Sequence, residues 1–204
     1  MPSATLSVMK LISDQVNERE IAILTRELQQ VLERGIPGAV VEFGCYVGTS
    51  SLFLQQLLVS EPAERFLHVY DSFAGLPEKQ KEDASPAGEQ FVAGELLATK
   101  AQFTANFKKA GLPVPVIHKA WFSELTHNDI PKQIAFAFLD GDYYRSILDP
   151  LKLIWDYLAN EAIVVVDDYQ NEQLPGVKKA LDVWNQHHSF TLTTEASLAK
   201  IKKT

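Results

Sequence analysis

From Asn17 to Arg34, apolar side chains recur at three- and four-residue spacing, with Ile21, Leu24, Leu28, Val31 and Leu32 forming one stripe of a helix. Asn17 with Glu20 three residues on predicts a capping box at its start, and Gly35 then Pro37 predict its stop. Five short apolar runs follow: Ala39–Phe43, Phe66–Tyr70, Val114–Ile117, Ile134–Leu139 and Ala162–Val166. They are continuous rather than alternating, the pattern of strands buried on both faces. Helical patterns fall between them at Ser50–Val59, Leu96–Lys109, Ser146–Leu158 and Val177–His187. This alternation predicts right-handed crossovers, and with them an α/β fold whose central sheet is mostly parallel with helices on both faces. Phe190 to Lys203 reads as one or two weaker strands closing the sheet as an antiparallel edge. Residues 77–94 are polar and without a period, and so long a loop in a compact fold predicts a flap over a site.

Composition narrows the class. The chain has 204 residues, 46% of them hydrophobic, enough for one full core in a single domain. We read residues 1–37 as a helical segment leading into a core at 38–204. The formal net charge is −7, which argues against a nucleic-acid partner, since phosphate binding rests on Lys and Arg. The single cysteine, Cys45, rules out a disulfide framework and suits a reducing cytoplasmic setting. No stretch approaches the ~20 apolar residues of a membrane span. Met1 to Lys10 lacks a secretion pattern. The expectation is a cytoplasmic protein with no membrane partner, and a homo-oligomer is left open.

In an open parallel sheet, ligands bind beyond the carboxyl ends of the strands, near the point where strand order reverses. The first run leads into Glu42-Phe43-Gly44-Cys45-Tyr46-Val47-Gly48-Thr49-Ser50-Ser51. Gly44 permits a sharp turn and Gly48 a close approach, while a helix starting near Ser50 offers free N–H groups to an anion. A turn with no ligand is the alternative. Asp71, ending the second run, falls about where an acid grips ribose hydroxyls in nucleoside-binding folds, although a turn aspartate is an equal reading. Trp121-Phe122 offers a sandwich for a purine ring, or plain core. His68 and His118 read as core or edge histidines, His187 and His188 as a helix end, and Lys200, Lys202 and Lys203 as a solvated face.

The carboxylates are the most specific feature. The fourth run ends in Asp140-Gly141-Asp142 and the fifth in Asp167-Asp168. On neighbouring strands ~4.8 Å apart, four such groups repel one another unless a cation neutralises them. A hard divalent ion such as Mg²⁺ suits this oxygen-only set, with capping of the next helices as the alternative.

Together these segments resemble the macrocin O-methyltransferase-like (TylF-type) family, which uses S-adenosylmethionine. The resemblance runs from about Gly38 to Trp184. It rests on Val41-Glu42-Phe43-Gly44 with Gly48-x-Ser50-Ser51, Tyr70-Asp71-Ser72-Phe73-x-Gly75-Leu76-Pro77, Asn106-Phe107 with Gly111, Trp121-Phe122, Leu139-Asp140-Gly141-Asp142-x-Tyr144-x-Ser146 and Val166-Asp167-Asp168-Tyr169. It implies a Rossmann-like class I methyltransferase that methylates a hydroxyl of a small molecule, such as a sugar of a glycosylated secondary metabolite. It also implies Asp140, Asp167 and Asp168 as ligands of Mg²⁺ or another divalent cation, and Asp142 as general base. By the same resemblance, the cofactor is held by Glu42, Phe43, Gly44, Tyr46, Gly48, Ser50, Ser51, Asp71 and Ser72, with Trp121 and Phe122 at its adenine and Asp140 beside it. Some sugar-methylating relatives carry a catalytic histidine in the flap, and residues 77–111 contain none. The rival classes are a nicotinamide-dependent oxidoreductase, a metal-dependent hydrolase on a similar sheet, and a non-catalytic S-adenosylmethionine-binding module.

Overall fold

The structure, a computed structural model, describes residues 9–61, 64–87 and 90–203, so most of Met1 to Lys10 lies outside the described residues. The first helix, α1 (Glu18–Glu33), begins at the predicted capping box, where the Asn17 side chain accepts from the Arg19 and Glu20 amides. It buries the predicted stripe from Ile21 to Leu32. Five parallel strands follow: β1 (Ala39–Phe43), β2 (Leu67–Asp71), β3 (Val116–Lys119), β4 (Ile134–Leu139) and β5 (Leu158–Val166). A terminal hairpin of β6 (Phe190–Glu195) and β7 (Leu198–Lys203) adds the antiparallel edge, through β7 on β5. Among the described residues, the sheet order is β3-β2-β1-β4-β5-β7-β6.

Helices α2 (Thr49–Ser60), α3 (Lys100–Ala110), α4 (Tyr144–Ile154) and α5 (Pro175–Asn185) fill the connections. From β1 the chain steps outward to β2 and β3, then returns to β4 and steps the other way to β5. Right-handed crossovers therefore put α2 and α4 on opposite faces. Helix α1 packs with α2, and α4 packs with α5. The order reverses between β1 and β4, which opens a crevice at their carboxyl ends.

Three departures from the sequence reading have local causes. Strand β3 begins at Val116 rather than Val114, and it is not buried on both faces: Val116 and Lys119 are exposed. It is the sheet edge, and Pro113 and Pro115 lack the N–H groups a ladder needs. Helix α4 stops at Ile154, and a 3₁₀ turn over Trp155–Tyr157 delivers the chain into a longer β5. Lys200 is not on a solvated face; it pairs with buried Glu27 at 3.2 Å and with Glu195 at 2.9 Å. His118 lies on edge strand β3 and His68 on its neighbour β2, both half-buried and stacked with ring centroids 5.4 Å apart.

The core lies on both faces of β1, β4 and β5, where Phe136 is fully buried and paired with Val40 and Ile163. Phe136→Ala should cost about 3–5 kcal/mol. Urea unfolding would show this as a lower midpoint at unchanged slope. A loss below ~1 kcal/mol would contradict this placement of the core.

Candidate active site

The ladder continues one step past the strands. The Asp140 amide donates to the Phe43 carbonyl at 2.8 Å, and the Asp167 amide to the Leu139 carbonyl at 2.9 Å. Strands β1, β4 and β5 thus finish level, and the acids follow at once. Gly44 makes the turn out of β1 with φ +87°, and a Cβ there would meet the Asp140 carbonyl oxygen at 1.8 Å. Only glycine fits that crossing. Tyr46, Phe73, Asp142 and Asp168 also hold positive φ (46°, 51°, 64° and 54°), so left-handed backbone gathers at the ends of β1, β2, β4 and β5.

Asp71 ties two of these ends together. Its Oδ2 accepts from the Cys45 amide at 2.9 Å and the Tyr46 amide at 3.2 Å, and its Oδ1 accepts from the Phe73 amide at 2.7 Å. The turn reading of Asp71 is therefore realised, and the same residue lines the cavity. Glu42 is fully buried and accepts from the Ser50 and Ser51 hydroxyls at the start of α2. Burial raises its pKa to about 7, against the two hydroxyls that lower it.

A cavity of about 590 Å³ opens at this end of the sheet. Of the sequence-predicted residues, Gly44, Tyr46, Asp71, Ser72, Trp121, Phe122, Asp140, Asp142 and Asp168 line it. Glu42, Phe43, Gly48, Ser50 and Ser51 are not on its wall; they are packed behind, where they hold the turn and the start of α2. Gly48 is close-packed against α3, since a Cβ there would meet Phe103 at 2.8 Å. Phe122 meets Phe43 edge-on at 5.5 Å. His127 lies against Tyr157 with the rings tilted, 5.5 Å between centroids, and does not line the cavity.

One carboxylate oxygen from each of Asp140, Asp142 and Asp168 lies within 4.8 Å of the others. Burial, and then the charges of the neighbouring aspartates, push Asp140 well above the carboxylate range. Burial and Asp168 raise Asp142 to about 8. Asp168 is raised by burial, against a 2.9 Å hydrogen bond from the Asn171 amide group. Such a set of hard oxygens that resist sharing negative charge fits a divalent cation. Asp167 stands outside the triad. Its Oδ1 accepts from the Asp168 amide at 2.8 Å and the Ser197 hydroxyl at 3.3 Å. The strand's alternation, which sends adjacent side chains apart, explains the difference from the predicted set.

The loop predicted as a flap borders the cavity as a strap, through Pro77, Glu78, Gln80, Asp83 and Phe91; what sequence reasoning missed is how it is fastened. Asp83, in a 3₁₀ turn over Lys81–Asp83, is buried, and its Oδ1 accepts from the Tyr144 amide at 2.7 Å. Its Oδ2 accepts from the Gln80 amide at 2.9 Å. Tyr143 donates its hydroxyl to the Phe91 carbonyl. Gly176 carried the one signal: a Cβ there would sit 1.9 Å from the Asp83 carboxylate.

A parallel sheet reversing at β1/β4, with an antiparallel edge hairpin and a cavity at the reversal, is the Rossmann-like fold of class I O-methyltransferases. The model of the macrocin-O-methyltransferase (TylF) family matches residues 11–201, and the chain belongs to that family. It is 31% identical over 148 residues to an 8-demethyl-8-(2,3-dimethoxy-alpha-L-rhamnosyl)-tetracenomycin-C 4'-O-methyltransferase of Streptomyces olivaceus, covering 70% of this chain and 57% of that protein. It is 24% identical over 172 residues to a mycinamicin III 3''-O-methyltransferase of Micromonospora griseorubida, covering 80% of this chain and 66% of that one. The chain thus spans less than two thirds of either relative. The solved O-methyltransferase NovP shares the fold, at TM-score 0.78 and 22% identity, over 91% of this chain and 80% of that one.

The buried acids set a pH dependence. Unfolded carboxyls ionise near pH 4, whereas folded Glu42 and Asp142 keep their protons up to about 7 and about 8. The folded state therefore holds more protons across that interval, and stability falls as pH rises through it. Thermal unfolding of cation-free protein should show a Tm that declines from about pH 5 to about pH 8, with a shallower decline in Asp142→Asn. A Tm that rises over this range would refute the assignment.

Proposed function

We propose that the chain transfers the methyl group of S-adenosyl-L-methionine to a hydroxyl on a sugar of a small molecule, with Mg²⁺ or a similar divalent cation at the aspartate cluster. The observation that carries this reading is that one cavity holds both the Gly44–Tyr46 turn with Asp71 and the carboxylates of Asp140, Asp142 and Asp168. The family, and the methylated sugar positions in the relatives' names, support the same acceptor class.

In this reading, the Gly44–Tyr46 turn and Asp71-Ser72 hold the methionine and ribose ends of the cofactor, and Trp121 and Phe122 flank its adenine. Asp140 and Asp168 are the cation ligands on which motif and geometry agree. Asp167, which the resemblance adds to them, acts at least through the Asp168 amide it holds. A bound divalent cation supplies Lewis acidity toward a neighbouring hydroxyl. Asp142, ionised once a cation offsets the neighbouring carboxylates, would take the proton of the acceptor hydroxyl, and the cofactor would supply its activated methyl group to that oxygen. General-base help of this kind contributes about 10²–10⁴-fold. The sulfonium is already an activated electrophile, so the rest of the rate comes from alignment of oxygen, carbon and sulfur. The walls that fix that alignment are the strap and the level strand ends.

Two substitutions separate the parts. Asp168→Asn should weaken Mn²⁺ binding, read by electron paramagnetic resonance, by at least about 10-fold while leaving S-adenosyl-L-homocysteine affinity within a few-fold. Asp71→Ala should do the reverse. Methyl transfer that is undiminished in excess chelator would remove the cation from the mechanism.

A further inference from the structure

We infer that Ser197, in the turn of the terminal hairpin, is a positioning residue for the cation site: its hydroxyl holds Asp167 in place and, through Asp167, the ligand Asp168. This rests on the cation reading proposed above. It adds a residue from a part of the fold that does not line the cavity.

The sheet itself brings the hairpin to the aspartates. Strand β7 runs antiparallel to β5, and Ala199 lies opposite Val166, the residue before Asp167. The turn between β6 and β7 therefore sits beside the carboxyl end of β5. Its backbone is fastened there, since the Gln170 amide donates to the Ser197 carbonyl at 3.2 Å. The Ser197 hydroxyl has one proton and two carboxylate neighbours, Glu20 Oε1 at 2.6 Å and Asp167 Oδ1 at 3.3 Å. Glu20 is fixed in turn, because its Oε2 accepts from the Asn17 amide at 2.9 Å in the capping box of α1. One hydroxyl thus joins three elements: the start of α1, the hairpin turn and the end of β5.

What this junction holds is the amide of a proposed ligand. The same Asp167 Oδ1 accepts from the Asp168 amide at 2.8 Å. Asp168 keeps φ 54°, a conformation that a residue with a Cβ retains only where its surroundings enforce it. Asn171 fixes the other end, donating from its side chain to Asp168 Oδ1 at 2.9 Å and from its backbone to the Asp168 carbonyl at 3.0 Å. Without the hydroxyl, Glu20 and Asp167 face each other with no donor between them, and like charges so placed turn apart. Asp167 then releases the Asp168 amide, and the Asp168 carboxylate leaves the place where it meets Asp140 and Asp142. Loss of a group that orients a metal ligand from behind weakens metal binding about 10–100-fold. A hydroxyl that merely clipped the hairpin down would act on stability and leave the cation alone.

The test measures Mn²⁺ affinity of the full chain by electron paramagnetic resonance, with S-adenosyl-L-homocysteine affinity by calorimetry as the control. Ser197→Ala should weaken Mn²⁺ binding at least about 10-fold and leave S-adenosyl-L-homocysteine affinity within a few-fold. Ser197→Thr, which keeps the hydroxyl, should restore Mn²⁺ binding. Ser197→Val, which matches threonine in shape, should not, so this pair decides the matter even where alanine disturbs the hairpin. Absence of Mn²⁺ binding by the native chain overturns the cation reading and this inference with it. Native binding that Ser197→Ala leaves unchanged, equal affinities in the threonine and valine variants, or equal loss of both ligands overturns this inference alone.

Discussion

The level finish of β1, β4 and β5 is the constraint on which the rest depends. Each strand is held to its neighbour by amide-to-carbonyl bonds that run one residue past the regular ladder, to Asp140 and Asp167. That geometry sets Asp140 beside the Asp167-Asp168 pair, and the carboxylates of Asp140, Asp142 and Asp168 come together there. Two parallel strands place their ends ~4.8 Å from each other, so carboxylates that follow directly must share one small volume. Repulsion and burial then raise their proton affinity together. The folded chain accepts this cost because the hydrophobic strands behind it, buried along nearly their whole length, fix the register.

A second cost sits beside the first. Left-handed backbone is unfavourable for residues with a Cβ, and Tyr46, Phe73, Asp142 and Asp168 hold it in the turns that leave four adjacent strands. Each such turn bends the chain sharply so that polar groups face the cavity instead of continuing the sheet. Asp71 shows how the strain is held: three amides from two turns converge on one carboxylate. A side chain read from sequence as a ligand for ribose thus also fastens the turn against which a ribose would rest.

What the sequence made legible follows from which forces are local. Helix α1 was readable to the residue at its cap, because Asn17, Glu20 and the apolar stripe act within a few turns. Strands β1 and β4 were readable because continuous burial leaves an uninterrupted apolar run. Edge strand β3 was misread as buried because an apolar run looks the same whether or not a neighbour covers it. The acids were found by their position at strand ends. Alternation at the strand ends already separates Asp167 from Asp168; the positive φ at Asp142 and Asp168 that accompanies the convergence was not legible. The five residues behind the cavity wall share a motif with those in front of it, and only packing separates supporters from lining.

Asp83 was beyond reach for a different reason: its partners are distant in sequence. An acid in a polar loop looks like solvent-facing surface, yet this one is buried at the start of α4, one residue past Tyr143. The carboxylate is satisfied there by amides rather than by a cation, and an N-terminal helix end favours its charge. Tyr143 returns the contact through its hydroxyl to the Phe91 carbonyl, so the strap is fastened from both sides to the segment that follows Asp142. The roof of the cavity and the conformation of the proposed base are therefore one structural unit. Two hydrogen bonds, at Tyr143 and Tyr144, thus tie the strap to the turn in which Asp142 holds its positive φ.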